Sequence, residues 1–119
     1  MKILVVEDNT GIKEILDYIL KDDGHEVISC PDGSSLAELE RTKPDLILMD
    51  DMLEGTRGSE LCLQLKQDYN TQNIPVILTS ARAGLKETAE KCKADNYLEK
   101  PFDIDQLIRI IRPFASEQA

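Results

Sequence analysis

Hydrophobic positions along this chain follow two alternating spacings. Short β-branched runs at Ile3–Val6, Val27–Cys30, Leu46–Met49, Val76–Leu78 and Tyr97–Leu98 read as strands. The first, third and fourth lack polar alternation, which marks strands buried on both faces of a parallel sheet. Between the strands the spacing becomes helical. Ile12, Ile15, Leu16, Ile19 and Leu20 share one stripe, with Asn9 or Thr10 placed to cap its start and Gly24 to end it. Ile104, Leu107, Ile108 and Ile111 form a second stripe, expected to stop at Pro113. Weaker helical patterns cover Ser34–Arg41, Ser59–Asp68 and Leu85–Lys93, and Asp32-Gly33, Gly55 and Gly58 mark turns.

Five strand–helix units in strict alternation predict an α/β fold, a parallel sheet between two layers of helices with right-handed crossovers. The 119 residues fit one domain spanning 1–119, and no repeat, linker or low-complexity segment interrupts it. A hydrophobic share of 41% is enough for a real core. Net charge is −9, which repels phosphate backbones and argues against direct nucleic-acid binding. No apolar run approaches a membrane span, and the opening Met1–Glu7 meets acid too soon for a signal peptide. Cys30, Cys62 and Cys92 lie far apart with no C-x-x-C pairing, so they read as buried thiols in a reducing cytoplasm. Asp51 and His25 read as solvated surface residues.

The chemistry is carried by the polar residues at the end of each strand. Glu7-Asp8, Asp50-Asp51, Thr79-Ser80 and Glu99-Lys100-Pro101 all fall at strand C-terminal ends, which share one edge of a parallel sheet. In a flavodoxin-like order, strands 1 and 3 are neighbours at the crevice, so Glu7, Asp8 and Asp50 would converge with Ser80 and Lys100 beside them. Two carboxylates ~4 Å apart repel by roughly 4 kcal/mol at an effective dielectric of 20. Such a cluster protonates one member or binds a cation, and short oxygen ligands suit Mg²⁺.

Four motifs in order carry a family resemblance. Ile3–Asn9 resembles the first strand and acidic pair of response-regulator receiver domains of bacterial two-component systems. Pro44–Asp50 is similar to their phosphoacceptor strand, Ile74–Ala81 to their fourth strand with its switch hydroxyl, and Ala94–Phe102 to their fifth strand with its aromatic residue and lysine. The resemblance implies a flavodoxin-like (βα)5 three-layer sandwich with strand order 2-1-3-4-5. It implies Asp50 as nucleophile and Mg²⁺ held by Glu7, Asp8, Asp50 and the main-chain carbonyl of Met52. Ser80 and Lys100 would meet the phosphoryl oxygens, Tyr97 would swing inward as Ser80 moves, and Lys100–Pro101 would be cis.

A receiver of this kind would catalyse its own phosphorylation and slow dephosphorylation without being a metabolic enzyme. It would work in the cytoplasm with a sensor histidine kinase or histidine phosphotransfer protein and a downstream target. It would be a monomer or a phosphorylation-dependent homodimer. Glu54-Gly55-Thr56-Arg57-Gly58 departs from the Pro-Gly-x-Asp-Gly turn frequent in the family, and Lys93 stands where glycine is common. Competing readings are a pseudo-receiver that binds without phosphotransfer, a haloacid-dehalogenase-type phosphatase and a flavodoxin. The phosphatase would want a second acid two positions after Asp50, where Met52 stands. A flavodoxin would want a phosphate-cradling loop where Glu7-Asp8 stands.

Overall fold

The computed structural model describes residues 1–32 and 39–118. In chain order its elements are β1 (Lys2–Val6), α1 (Thr10–Asp22), β2 (Glu26–Cys30), α2 (Leu39–Thr42), β3 (Leu46–Asp50), β4 (Met52–Leu53), β5 (Thr56–Arg57), α3 (Gly58–Gln67), β6 (Val76–Ser80), α4 (Leu85–Cys92), β7 (Asn96–Glu99) and α5 (Ile104–Gln118). Five strands form one parallel sheet in the order β2-β1-β3-β6-β7. With the short β4–β5 hairpin set aside, this is the expected 2-1-3-4-5 arrangement.

Period-two alternation divides each strand between two cores. Leu4, Val6, Ile47, Met49, Val76 and Leu78 point to one face, where they pack with Leu39, Cys62, Leu65, Leu85 and Cys92 from α2, α3 and α4. Ile3, Val5, Leu46, Leu48 and Ile77 point to the other, against Leu16, Ile19 and Leu20 of α1 and Leu107 and Ile111 of α5. Both faces of the central strands are therefore covered, which is why those strands carry no polar alternation.

Local signals behave as their chemistry dictates. The Asn9 side chain accepts a hydrogen bond from the Ile12 amide at 3.0 Å, capping α1. Gly24, at φ +93°, closes the same helix. Several positions depart from the sequence expectation. Pro113 does not stop the last helix, which continues to Gln118. Arg109, whose carbonyl loses its amide partner, and Pro113 both lie on the solvent side, while Phe114 beyond them packs on the sheet. Ile15 and Ile104 belong to the predicted core stripes but are 60% and 55% exposed, because they sit at the margins of those stripes. His25 is not a surface residue. Its side chain is only 7% exposed, with Nε2 3.3 Å from an Asp23 oxygen and Nδ1 3.2 Å from the Met1 nitrogen. Of the predicted helix at Ser34–Arg41, the part within 33–38 lies outside the described residues, and the described part is α2.

Candidate functional site

Sheet register sets the site. Asp50 is the last residue of β3 and pairs with Thr79, while Ser80 ends β6 and pairs with Glu99. Glu7 directly follows β1, the other neighbour of β3. Neighbouring strand ends therefore deliver polar side chains to one patch, although their residues lie as far apart as 7 and 100 in sequence. Oxygen atoms of Glu7, Asp8 and Asp50 all lie within 4.8 Å of one another. Glu7 and Asp50 are buried and Asp8 is exposed, so the cluster opens to water on one side.

Lys100 supplies the opposing charge. Its Nζ donates to Glu7 Oε1 at 2.7 Å and lies 3.4 Å from Asp50 Oδ2. The Lys100–Pro101 peptide is cis, as expected. Burial pushes the Glu7 carboxyl above the ordinary glutamate range. The Asp50 charge adds to that rise, and the Lys100 hydrogen bond opposes it. The donor set is all oxygen, closely spaced and open to solvent, which fits a hard divalent cation that retains waters.

The loop after β3 folds back over Asp50 and Asp8. The Met52 amide donates to Asp50 Oδ1 at 3.1 Å, and the Glu54 amide donates to Asp8 Oδ2 at 3.0 Å. Ser80 is buried at the adjacent strand end, and its Oγ accepts from the Arg82 amide at 3.0 Å. Tyr97 lies one strand further out, opposite Leu78, half-buried against the core beneath α3 and α4. Glu7, Asp8, Asp50 and Lys100 thus form one constellation, with Ser80 on the neighbouring strand and Tyr97 more remote.

One residue of this neighbourhood departs from its expected role. Asp51 is not a solvated acid: it is 2% exposed. Its carboxylate is ion-paired with Arg57 and accepts from the Ser59 amide at 2.8 Å. Burial pushes the Asp51 carboxyl up, but hydrogen bonds from Arg57 and Ser59 outweigh it and hold the group below the usual aspartate range. The clue lies in Arg57, which stands where the family resemblance leads one to expect an acid. A cation in that place calls for a nearby anion. The loop is closed further by Gly58, whose amide donates to the Asp51 carbonyl at 3.0 Å.

A family model for the response regulator receiver domain matches residues 3–112. The chain belongs to the response regulator receiver family. Receivers of this family are phosphoryl-accepting signalling switches. Among curated relatives, the phosphate regulon transcriptional regulatory protein PhoB of Escherichia coli is 34% identical over 98% of this chain and 56% of its own length. The sensory transduction protein RegX3 of Mycolicibacterium smegmatis is 36% identical over 92% of this chain and 48% of its own length. The chain therefore spans about half the length of the curated relatives it matches. Among solved structures, the receiver domain of the sensor histidine kinase PA1611 from Pseudomonas aeruginosa has a TM-score of 0.87. It is 29% identical, covers 97% of both chains, and was solved with a magnesium ion coordinated in its active-site cleft. Among the described residues of the present receiver, no helix is long and apolar enough to cross a membrane.

Proposed function

We propose that this receiver takes a phosphoryl group onto Asp50 with Mg²⁺ bound by Glu7, Asp8, Asp50 and the main-chain carbonyl of Met52. The observation that carries this reading is the three-carboxylate cluster with Lys100 Nζ 3.4 Å from Asp50. An ionised carboxylate needs no general base to attack phosphorus. As the Asp50 oxygen bonds to phosphorus, the bond to the donor breaks and its electron pair leaves with the donor. Bound Mg²⁺ supplies charge neutralisation for the transferring group. Lys100 already lies between Glu7 and Asp50, and it pairs with a phosphoryl oxygen after transfer. Ser80 exchanges its Arg82 amide contact for a donated hydrogen bond to another phosphoryl oxygen. That exchange shifts the loop after β6, and Tyr97 turns inward with it.

The donor is a sensor histidine kinase or a histidine phosphotransfer protein. An apolar groove lined by Ile12, Ile15, Pro101 and Phe102 opens directly beside Lys100, where a donor helix can seat its phosphohistidine next to Asp50. The working compartment is the cytoplasm, consistent with three free buried thiols. Incubation with a small phosphodonor and Mg²⁺ tests the reading. Asp50 is expected to carry an acid-stable, hydroxylamine-sensitive acyl phosphate, and labelling should vanish on chelation or in Asp50→Asn. Undiminished labelling of Asp50→Asn would show that the acceptor is another residue.

A further inference from the structure

Cys62 on α3 and Cys92 at the end of α4 meet across the helix pair that covers one face of the sheet. Cys62 Sγ donates to the Cys92 carbonyl at 3.4 Å, and Cys92 Sγ donates to the Ala89 carbonyl at 3.5 Å, so the two cysteines sit side by side. Cys92 also lines a cleft of about 270 Å³ between α3 and α4, together with Leu63, Arg57 and Lys91. Two adjacent cysteines, one of them lining a surface cleft whose wall holds Arg57, Lys91 and Glu60, form an arrangement that purely structural cysteines do not require. Cys30, equally free and buried, is the contrasting case: it packs among aliphatic side chains in the same core.

We propose that Cys62 and Cys92 form a reversible redox pair, oxidised by hydroperoxide to a disulfide that bolts α3 to α4. The Cys92 sulfur attacks one peroxide oxygen, the O–O bond breaks, and water leaves with a sulfenic acid formed on Cys92. The Cys62 sulfur then displaces the sulfenic hydroxyl, which takes the Cys62 proton and departs as a second water. Two electrons pass from the thiol pair to the peroxide. The assignment of attacker and resolver follows the environment. Cys92 lines the cleft that a peroxide can enter, whereas Cys62 is fully buried behind it and can only resolve. An S–S bond of about 2.05 Å requires both thiols to turn from the carbonyls they now bond toward each other, a matter of side-chain rotation and a small helix shift. The bolt ties down α4, which begins shortly after the Ser80 loop opens. The dithiol chemistry itself is independent of phosphotransfer.

The reduced full chain, exposed to hydrogen peroxide at neutral pH, is tested by intact mass and by alkylation after unfolding. The expected result is a loss of about two mass units, with Cys62 and Cys92 blocked, Cys30 still alkylated, and full reversal by dithiothreitol. Full alkylation of all three cysteines, or oxidation of Cys30 in step with the pair, overturns the proposal. In Cys62→Ala, oxidation is expected to stop at a sulfenic acid on Cys92 that dimedone captures. A wild-type chain that accumulates the dimedone adduct without a disulfide overturns it equally.

Discussion

Gly58 is the position where one added carbon should do most harm to the site. A Cβ built there would lie 2.2 Å from the Asp50 carbonyl oxygen, 2.9 Å from the Asp50 carbonyl carbon and 3.0 Å from the Asp51 Cα. Relief requires a backbone movement of roughly 1 Å, since these are main-chain atoms with no rotamer to change. The backbone they belong to is tied on both sides. The Asp51 amide donates to the Thr79 carbonyl at 2.8 Å, and the Gly58 amide donates to the Asp51 carbonyl at 3.0 Å. Overpacking typically costs about 1–3 kcal/mol. Because a central strand and a helix start must separate, Gly58→Ala is expected near the top, about 3 kcal/mol. With a slope of roughly 1.5 kcal/mol/M, the urea midpoint should fall by about 2 M at unchanged slope. Thermal unfolding should drop by about 10 °C. The displaced carbonyl belongs to Asp50, the proposed phosphoacceptor, so labelling by a small phosphodonor should slow even where the variant is fully folded. A loss below about 1 kcal/mol would refute the reasoning, because it would mean that the β3–α3 junction yields freely.

Asp51→Asn should cost about 2 kcal/mol at neutral pH, a figure discounted from a fully buried pair because Arg57 is half in water. Asp51 is held below its unfolded value, so its contribution is present above the ordinary aspartate range and lost as pH falls through the lower folded value. The gap between variant and wild type in urea titrations should therefore narrow toward acid pH. Lys93, an exposed C-cap residue of α4 at φ +63°, occupies the left-handed region that favours glycine. Lys93→Gly should stabilise by up to about 1 kcal/mol, read as a higher urea midpoint. Lys100→Met should tighten Mg²⁺ binding at least about tenfold in a fluorescence or calorimetric titration, since an ammonium group beside the two proposed ligands Glu7 and Asp50 no longer opposes the ion. The same variant should accept phosphate from a small donor far more slowly. Tighter metal binding with undiminished labelling would remove Lys100 from the chemistry.

Hydrophobic spacing by itself determined the alternation of strands and helices and the burial of Ile3–Val6, Leu46–Met49 and Val76–Leu78 on two faces, because a doubly covered strand has no solvent side to keep polar. The polar residues after each strand were legible for a related reason: in a parallel sheet every C-terminal end falls on one edge. Margins were harder to read. Ile15 and Ile104 fit the helical stripes as well as their buried neighbours do, and only the width of the packed face excludes them. Pro113 carries a strong local preference that the packing of Phe114 overrides. Asp51, His25 and the Cys62–Cys92 contact were settled by tertiary structure alone. Burial, pairing and a meeting across helices distant in sequence depend on which elements pack together, and residue type and spacing along one chain do not encode those distances.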